Sequence, residues 1–274
     1  MPFQLGETFI SDRHLKLAGH LSVWQSRYRK AGLLDPNQPD SPLSEHFRSS
    51  REALRTKAFD IAELAIFNLA AKYMELHDLG RHHPEVARTV KRRLRSSRLD
   101  DYLGVQCEIA VASMLIKKGF QFTCPDPPDF QIKVGASEKP ALIECTSIHI
   151  EKESDKELIY KVGSAINDKK KKAYCNASSA LVVDITNVMY HSHKGGRDLN
   201  PNAIKDKFAD GAADSGFGAV MILCEVANFE KERVETVYSR LAVESPSNEL
   251  QTVLDQCFSD GEYSVTKAVF PRIS

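Results

Sequence analysis

Apolar residues recur at helical spacing through the first 95 residues, which indicates an N-terminal helical region. The first stripe predicts a helix that ends at Gly32 and is formed by Leu15, Ala18, Leu21 and Trp24. After a proline-containing turn, we expect Ser50 to cap a second helix over residues 51–80. A third helix is predicted to begin at Pro84, because proline is favoured in the first turn.

From Leu99 onward the pattern changes to short apolar runs separated by turns. An apolar helix is predicted up to Gly119, followed by strands in FQFTC, DFQIKV and PALIECTSI. The next predicted elements are a helix over 156–175 and the buried strand SALVVDIT. They are followed by a helix over 204–210 and a second buried strand, FGAVMILCEV. The order α-β-β-β-α-β-α-β predicts an α/β fold with a mixed central sheet flanked by helices. We therefore expect two domains, at 1–95 and 96–274.

Composition excludes several classes of protein. The 274 residues are 42% hydrophobic, which is too apolar for a disordered chain, and they carry no net charge. No apolar run is long enough for a membrane span, and the first residues lack the apolar core of a signal peptide. The six cysteines contain no C-x-x-C pair, so we expect reduced thiols in a cytoplasmic protein and no zinc site.

Basic residues are concentrated in two clusters although the whole chain is neutral. Residues 81–98 contain seven Lys and Arg against one Glu, and four lysines occupy positions 169–172. Segregated basic clusters are typical of a surface that contacts phosphates, and a solvated helix face is the alternative interpretation. The residues predicted to bind nucleic acid are Arg88, Lys91, Arg92, Arg93, Arg95, Lys171 and Lys172.

Three acids occupy positions where an apolar residue would be easier to bury. Asp129 begins the second predicted strand, Glu144 lies inside the apolar run ALIEC, and Glu108 lies among apolar residues of the preceding helix. A buried carboxylate must be paired, protonated or bound to a cation, unless Glu144 instead faces solvent from a half-exposed strand. In a hairpin Asp129 can meet Glu144, and two carboxylates with water suit Mg²⁺ or Mn²⁺.

This arrangement resembles the PD-(D/E)XK restriction-endonuclease-like superfamily over residues 99–190. The resemblance is carried by Glu108 on a helix, Pro128-Asp129 before a strand and Glu144-Cys145-Thr146 on an apolar strand. It implies metal-dependent hydrolysis of phosphodiester bonds, most often in DNA, with Glu108, Asp129 and Glu144 holding the metal. The backbone carbonyl of Cys145 is implied as a further ligand. By analogy it also implies a restriction or anti-phage role with a defence partner protein.

The family's lysine two residues after the strand acid is absent, because Thr146 stands at that position. The inward stripe of the following helix continues to Lys169 or Lys170, and Lys133 shares a strand face with Asp129. We expect the helix to supply the lysine, with Lys170 ahead of Lys169.

Two other functions stay open. If Thr146 marks lost chemistry, the chain is a non-catalytic module on the same fold that binds nucleic acid or a protein. Alternatively, it is a helical adaptor whose α/β part is structural. In the nuclease interpretation, the N-terminal helices grip the DNA backbone or form a partner or homodimer interface. His191 and His193 lack a third ligand, and no phosphate-binding loop of the Walker type is present.

Overall fold

A computed structural model of the chain describes residues 3–125, 127–149, 155–189, 209, 212, 214–228, 233–241, 245–258 and 263–267. The chain forms two compact units. The first contains Met1–Val105 with Ala227–Val234 and Val265–Ser274, and the second contains Gln106–Val226 with Glu235–Ser264. The first unit extends to Val105, ten residues beyond residue 95, at which the sequence places the end of the helical region. The two domains expected at 1–95 and 96–274 stay a prediction.

The first unit is built from packed helices, as the apolar stripes predict. Its helices are α1 Phe3–Lys30, α2 Pro42–Arg55, α3 Phe59–His82 and α4 Pro84–Leu94. Helices α1, α2 and α4 all contact α3, and the buried aromatic residues among them are Trp24, Tyr28, Phe47 and Phe67. Helix α1 ends before Gly32, whose φ of +68° places it in the left-handed region. The predicted start of α4 at Pro84 is confirmed.

The expected helix over residues 51–80 is wrong, because two helices occupy this part of the chain. Ser41, not Ser50, caps α2, and its side chain accepts a hydrogen bond from the Ser44 amide at 3.2 Å. Ser50 lies inside α2, where its hydroxyl donates to the His46 carbonyl at 2.8 Å. The left-handed φ of +59° at Lys57 turns the chain before α3 begins. Apolar spacing continues across this break and therefore conceals it.

The second unit contains a mixed sheet, which confirms the predicted fold class. Helix α5 Leu99–Lys117 ends just before Gly119, whose φ is +77°, as expected. The strands are β1 Gln121–Thr123, β2 Phe130–Lys133, β3 Ala141–Ser147, β4 Ser179–Asp184, β5 Ala219–Asn228, β6 Arg233–Leu241 and β7 Tyr263–Lys267. They lie side by side in chain order, and the remaining helices are α6 Asp155–Lys169 and α7 Asn248–Cys257. Helix α6 ends earlier than the predicted residue 175.

Strand directions change at β3. Strands β1, β2 and β3 are antiparallel, whereas β3, β4 and β5 are parallel. All six residues of β4 are buried, which confirms the predicted buried strand. The predicted helix over 204–210, except Ala209, lies outside the described residues, as do His191 and His193. Within the described part of the chain, no helix combines the length and apolar character that a membrane span requires.

The register assigns the two faces of β3 to different helices. Glu144 pairs with Leu181, which packs with Ile166 of α6 in one hydrophobic cluster. Because side chains alternate along a strand, Glu144 faces α6 and the neighbouring Cys145 faces the opposite side. There the Cys145 thiol contacts the thiol of Cys107 on α5.

Candidate active site

Asp129 and Glu144 are neighbours at the point where β2 meets β3. The antiparallel register pairs Phe130 with Ile143, so the next position outward places Asp129 opposite Glu144. The Cys145 amide donates a hydrogen bond of 2.7 Å to Oδ2 of Asp129. The two acids therefore meet in the hairpin, as the strand pattern predicts.

The environment of Asp129 disfavours its charged form. Burial is the largest cause, followed by the negative charges of Glu108 and Glu144, and together they raise the pKa of Asp129 to about 8. The Cys145 amide and the Lys169 ammonium act in the opposite direction but do not offset these effects. Asp129 therefore has two further carboxylates within electrostatic range, and the cation near it, Lys169, does not offset their charge.

Lys169 supplies the positive charge that the structure places in this site. Its ammonium donates a hydrogen bond to Oε1 of Glu144, although the two residues are 25 positions apart in the chain. Burial lowers the pKa of Lys169, but the hydrogen bond and charge of Glu144 and the charge of Asp129 outweigh it, so the pKa is raised. Lys169 is the last residue of α6, and its side chain is 27% exposed. It therefore stays protonated and reachable from solvent.

Two oxygen atoms of the site are buried without a hydrogen-bond partner in the described residues. They are Oε2 of Glu144 and the hydroxyl of Tyr174, which follows α6 by five residues. Burial, then the charge of Glu144 and the closeness of its carboxylate to the hydroxyl, raise the pKa of Tyr174 well above its usual range. The hydroxyl is thus near Glu144, but its geometry falls short of a formed hydrogen bond. A buried polar atom without a partner is costly, so both atoms are suited to a bound group.

The other candidate acid, Glu108, is partly buried on α5. Its charge raises the pKa values of both Asp129 and Cys145, so its carboxylate lies within electrostatic range of both residues. Cys145 contributes its backbone, because the N–H and C=O of one strand residue leave the strand on the same side. Its amide contacts Asp129, so its carbonyl also lies toward Asp129.

The residues present fit a divalent cation in composition and charge. Glu144 offers a buried oxygen without a partner among the described residues, and burial and neighbouring negative charge disfavour the charged form of Asp129. The Cys145 carbonyl lies toward Asp129. Hard cations such as Mg²⁺ are held by one or two carboxylates together with water. Within the described residues, no three Asp, Glu, His or Cys side chains converge closely enough to hold an ion by themselves. Water would have to complete such a site.

The lysine that contacts the acids is Lys169. Lys170 was expected ahead of it, but it is exposed, and the turn of α6 directs Lys169 to Glu144. Lys133 lies at the far end of β2, exposed and paired in register with Gln121. Thr146 lies on the same strand face as Glu144 and is partly buried.

The predicted nucleic-acid-binding residues belong to both compact units of the chain. On α4, Ala87, Val90 and Leu94 face inward, whereas Arg88 and Arg92 are exposed, as is Arg95 directly after the helix. Lys91 and Arg93 are partly buried, and the Arg93 guanidinium lies near Gly104. In the second unit, Lys171 and Lys172 are exposed just after α6.

Sequence reasoning missed two polar side chains. The role of Tyr174 is not predicted, because it follows a run of lysines that indicates a solvated segment. An aromatic residue five positions after the inward-facing Lys169 is the pattern that could have indicated it. Asp184 is a buried acid at the end of β4. Its carboxylate accepts hydrogen bonds from the Thr186 amide at 2.8 Å and from the Ser147 hydroxyl at 3.2 Å. These bonds give Asp184 a structural role in joining β3 to β4.

Comparisons with known proteins identify no relative. No protein-family model matches the chain, and neither curated proteins nor solved structures include a significant match. The functional conclusion therefore depends on the geometry of the site and on the resemblance carried by its residues.

Proposed function

We propose that the chain is a metal-dependent phosphodiesterase that cleaves DNA. The observation that carries this proposal is the grouping of Asp129, Glu144 and Lys169 at the junction of β2, β3 and α6. Two acids and a lysine in this arrangement are the functional groups of the superfamily that the sequence resembles. The lysine here comes from the helix and not from the strand position taken by Thr146.

Each residue has a role in this proposal. Asp129 and Glu144, with the carbonyl of Cys145, hold a Mg²⁺ or Mn²⁺ ion, and Glu108 holds the ion or its waters. When bound, the ion supplies Lewis acidity that lowers the pKa of water and offsets charge on the phosphate. Lys169 orients the attacking water and neutralises negative charge that develops on the phosphate in the transition state.

Basic residues outside the site bind the DNA backbone in this proposal. The exposed arginines of α4 and its C-terminal end, together with Lys171 and Lys172, contact phosphates without reading sequence, so binding weakens as salt concentration rises. A role in restriction or anti-phage defence within the cytoplasm, with a partner protein, follows only by analogy with the superfamily. A homodimer would bring two such sites to the two strands of a duplex.

Cleavage of supercoiled plasmid tests the proposal. The purified full chain is expected to nick or linearise plasmid with Mg²⁺ or Mn²⁺ and to lose this activity on Glu144→Ala. Glu138→Ala is the matched control, because Glu138 is an exposed acid in the β2–β3 turn. Activity that persists in folded Glu144→Ala would contradict the assigned site and indicate a contaminating nuclease.

The second candidate is a nucleic-acid-binding module without catalysis. The observation that favours it is Thr146, which stands where the superfamily has its lysine. This candidate predicts salt-dependent DNA binding that Glu144→Ala leaves intact, and no cleavage with either metal. A helical adaptor would show neither property.

A further inference from the structure

We propose that Tyr174 is a substrate-contacting residue of this site, with its hydroxyl donating a hydrogen bond to a phosphate oxygen next to the metal. The inference rests on the proposed function and extends it to a residue outside the superfamily motifs. Its basis is the pairing of two buried oxygens without partners in the described part of the chain, one on Tyr174 and one on Glu144.

The ring of Tyr174 is held in place by apolar packing. It contacts the hydrophobic cluster on the α6 face of the sheet, which includes Ile166 and Leu181. Leu181 is the register partner of Glu144 on β4, so the same cluster supports both the ring and the acid. Downstream, the Tyr174 carbonyl accepts a hydrogen bond of 3.1 Å from the Asn176 side chain. The hydroxyl therefore has a defined position although nothing in the described residues pairs with it.

The two oxygens have complementary capacities. Glu144 Oε2 only accepts hydrogen bonds or coordinates a cation, whereas the Tyr174 hydroxyl also donates. The Tyr174 hydroxyl lies near the Glu144 carboxylate, and neither oxygen meets the geometry of a hydrogen bond within the described residues, so one bound group can reach both. A phosphodiester next to a cation satisfies both, because the cation takes the carboxylate oxygen and the phosphate oxygen takes the hydroxyl proton. Lys169, on the other oxygen of Glu144, provides the second donor toward the phosphate.

The luminescence of Tb³⁺ tests the position of Tyr174 without any need for cleavage. Tb³⁺ binds oxygen ligands, and a tyrosine excites its emission only at short range. We expect emission from the wild type, its loss in Glu144→Gln, and its strong reduction in Tyr174→Phe while calorimetry still detects Tb³⁺ binding. Tyr160→Phe is the matched control, because Tyr160 lies on α6 with 71% of its surface exposed, and it should emit like the wild type.

The outcomes separate the inference from the proposed function. No Tb³⁺ binding by the wild type would overturn both the metal site and the inference. Emission that Glu144→Gln abolishes but Tyr174→Phe retains would overturn the inference alone. Removal of a hydroxyl without a partner should leave the fold intact, which thermal unfolding verifies.

Binding of DNA tests the contact itself. With Ca²⁺ in place of Mg²⁺, the dissociation constant of a short duplex should rise on the order of tenfold in Tyr174→Phe, which is the effect of removing one hydrogen bond to a charged group. The same duplex should bind Tyr160→Phe and the wild type equally. An unchanged dissociation constant in Tyr174→Phe would exclude the contact with phosphate.

Discussion

The ammonium of Lys169 contacts Oε1 of Glu144 and thereby joins the end of α6 to the centre of β3. Glu144 is buried, and Lys169 is the cation that pairs with it among the described residues. The contact also leaves the second carboxylate oxygen without a partner among the described residues. Lys169 thus offsets part of the negative charge of the site and leaves one oxygen of Glu144 for a cation.

Lys169→Met should reduce plasmid cleavage at least about a hundredfold, because it removes the charge that stabilises the transition state. Lys170→Met is the matched control, since Lys170 is the next residue and is exposed. Its rate should stay within about twofold of the wild type, as a surface charge contributes little. Initial rates of nicking at saturating Mg²⁺ measure both. Equal losses in the two variants would contradict the role of Lys169.

Asp129 should make the protein less stable as the pH rises. Its carboxyl has a pKa of about 8 in the folded chain against an ordinary value of 3.8, so the folded state binds more protons between these values. The free energy of unfolding then falls with rising pH, by at most about 1.4 kcal/mol per pH unit from this group. Asp129→Asn should abolish this contribution.

Urea unfolding from pH 5 to 8 measures the effect as a difference between the wild type and Asp129→Asn. The difference is necessary because burial lowers the pKa of His46 to about 4, which makes stability rise with pH up to the ordinary value of 6.5. Glu138→Gln should behave like the wild type. A wild-type slope that Asp129→Asn leaves unchanged would show that Asp129 is not the responsible group.

Divalent cations should stabilise the folded chain, because they bind the acids of the native site. At a hundred times its dissociation constant, Mg²⁺ is expected to add about 2.7 kcal/mol, and EDTA should reverse the gain. Asp129→Asn and Glu144→Gln should lose the response, whereas Glu138→Gln should keep it. Differential scanning calorimetry at fixed ionic strength gives the shift. A response that survives in both site variants would place the cation elsewhere.

Two exposed arginines, Arg92 on α4 and Arg95 directly after it, test the proposed binding of the DNA backbone. Arg92→Glu and Arg95→Glu together should weaken DNA binding, and the slope of log affinity against log salt should fall by about 0.9 for each phosphate that the protein no longer neutralises. Arg55→Glu is the control, because Arg55 is an exposed arginine on α2 that pairs with Glu52. Fluorescence anisotropy at several salt concentrations measures both quantities. Unchanged binding would exclude α4 from the DNA surface.

Gly218 should tolerate no side chain, because the backbone of the loop after α6 passes directly against it. An added Cβ would lie 2.2 Å from the Ala177 carbonyl oxygen and 2.8 Å from the Leu250 side chain. Gly218→Ala is expected to lower the free energy of unfolding by about 2 kcal/mol or more. Gly163→Ala, inside α6 with nothing within 4 Å, should be neutral or stabilising by up to about 1 kcal/mol. Equal effects in urea unfolding would contradict the close approach at Gly218.

The fold class and the position of the acidic pair could be predicted from the amino-acid sequence. Local physics suffices for both, because helical and strand periodicities show which residues are buried, and alternation along β3 separates Glu144 from Cys145. The start of a helix at Pro84 and the end of a helix near Gly119 could also be predicted, because proline restricts the backbone angles and glycine widens their range wherever they occur. Ser50 was misplaced because a continuous apolar stripe does not reveal a turn such as that at Lys57.

Folding in three dimensions was needed to reveal which lysine meets Glu144 and which other groups join the site. Adjacent helix residues point about 100° apart, so the choice between Lys169 and Lys170 depends on how α6 is rotated against the sheet. Tyr174 approaches Glu144 through a turn whose path no periodicity describes. The raised pKa of Asp129 depends likewise on burial and on charges from α5 and β3, which are brought together only when the chain is folded.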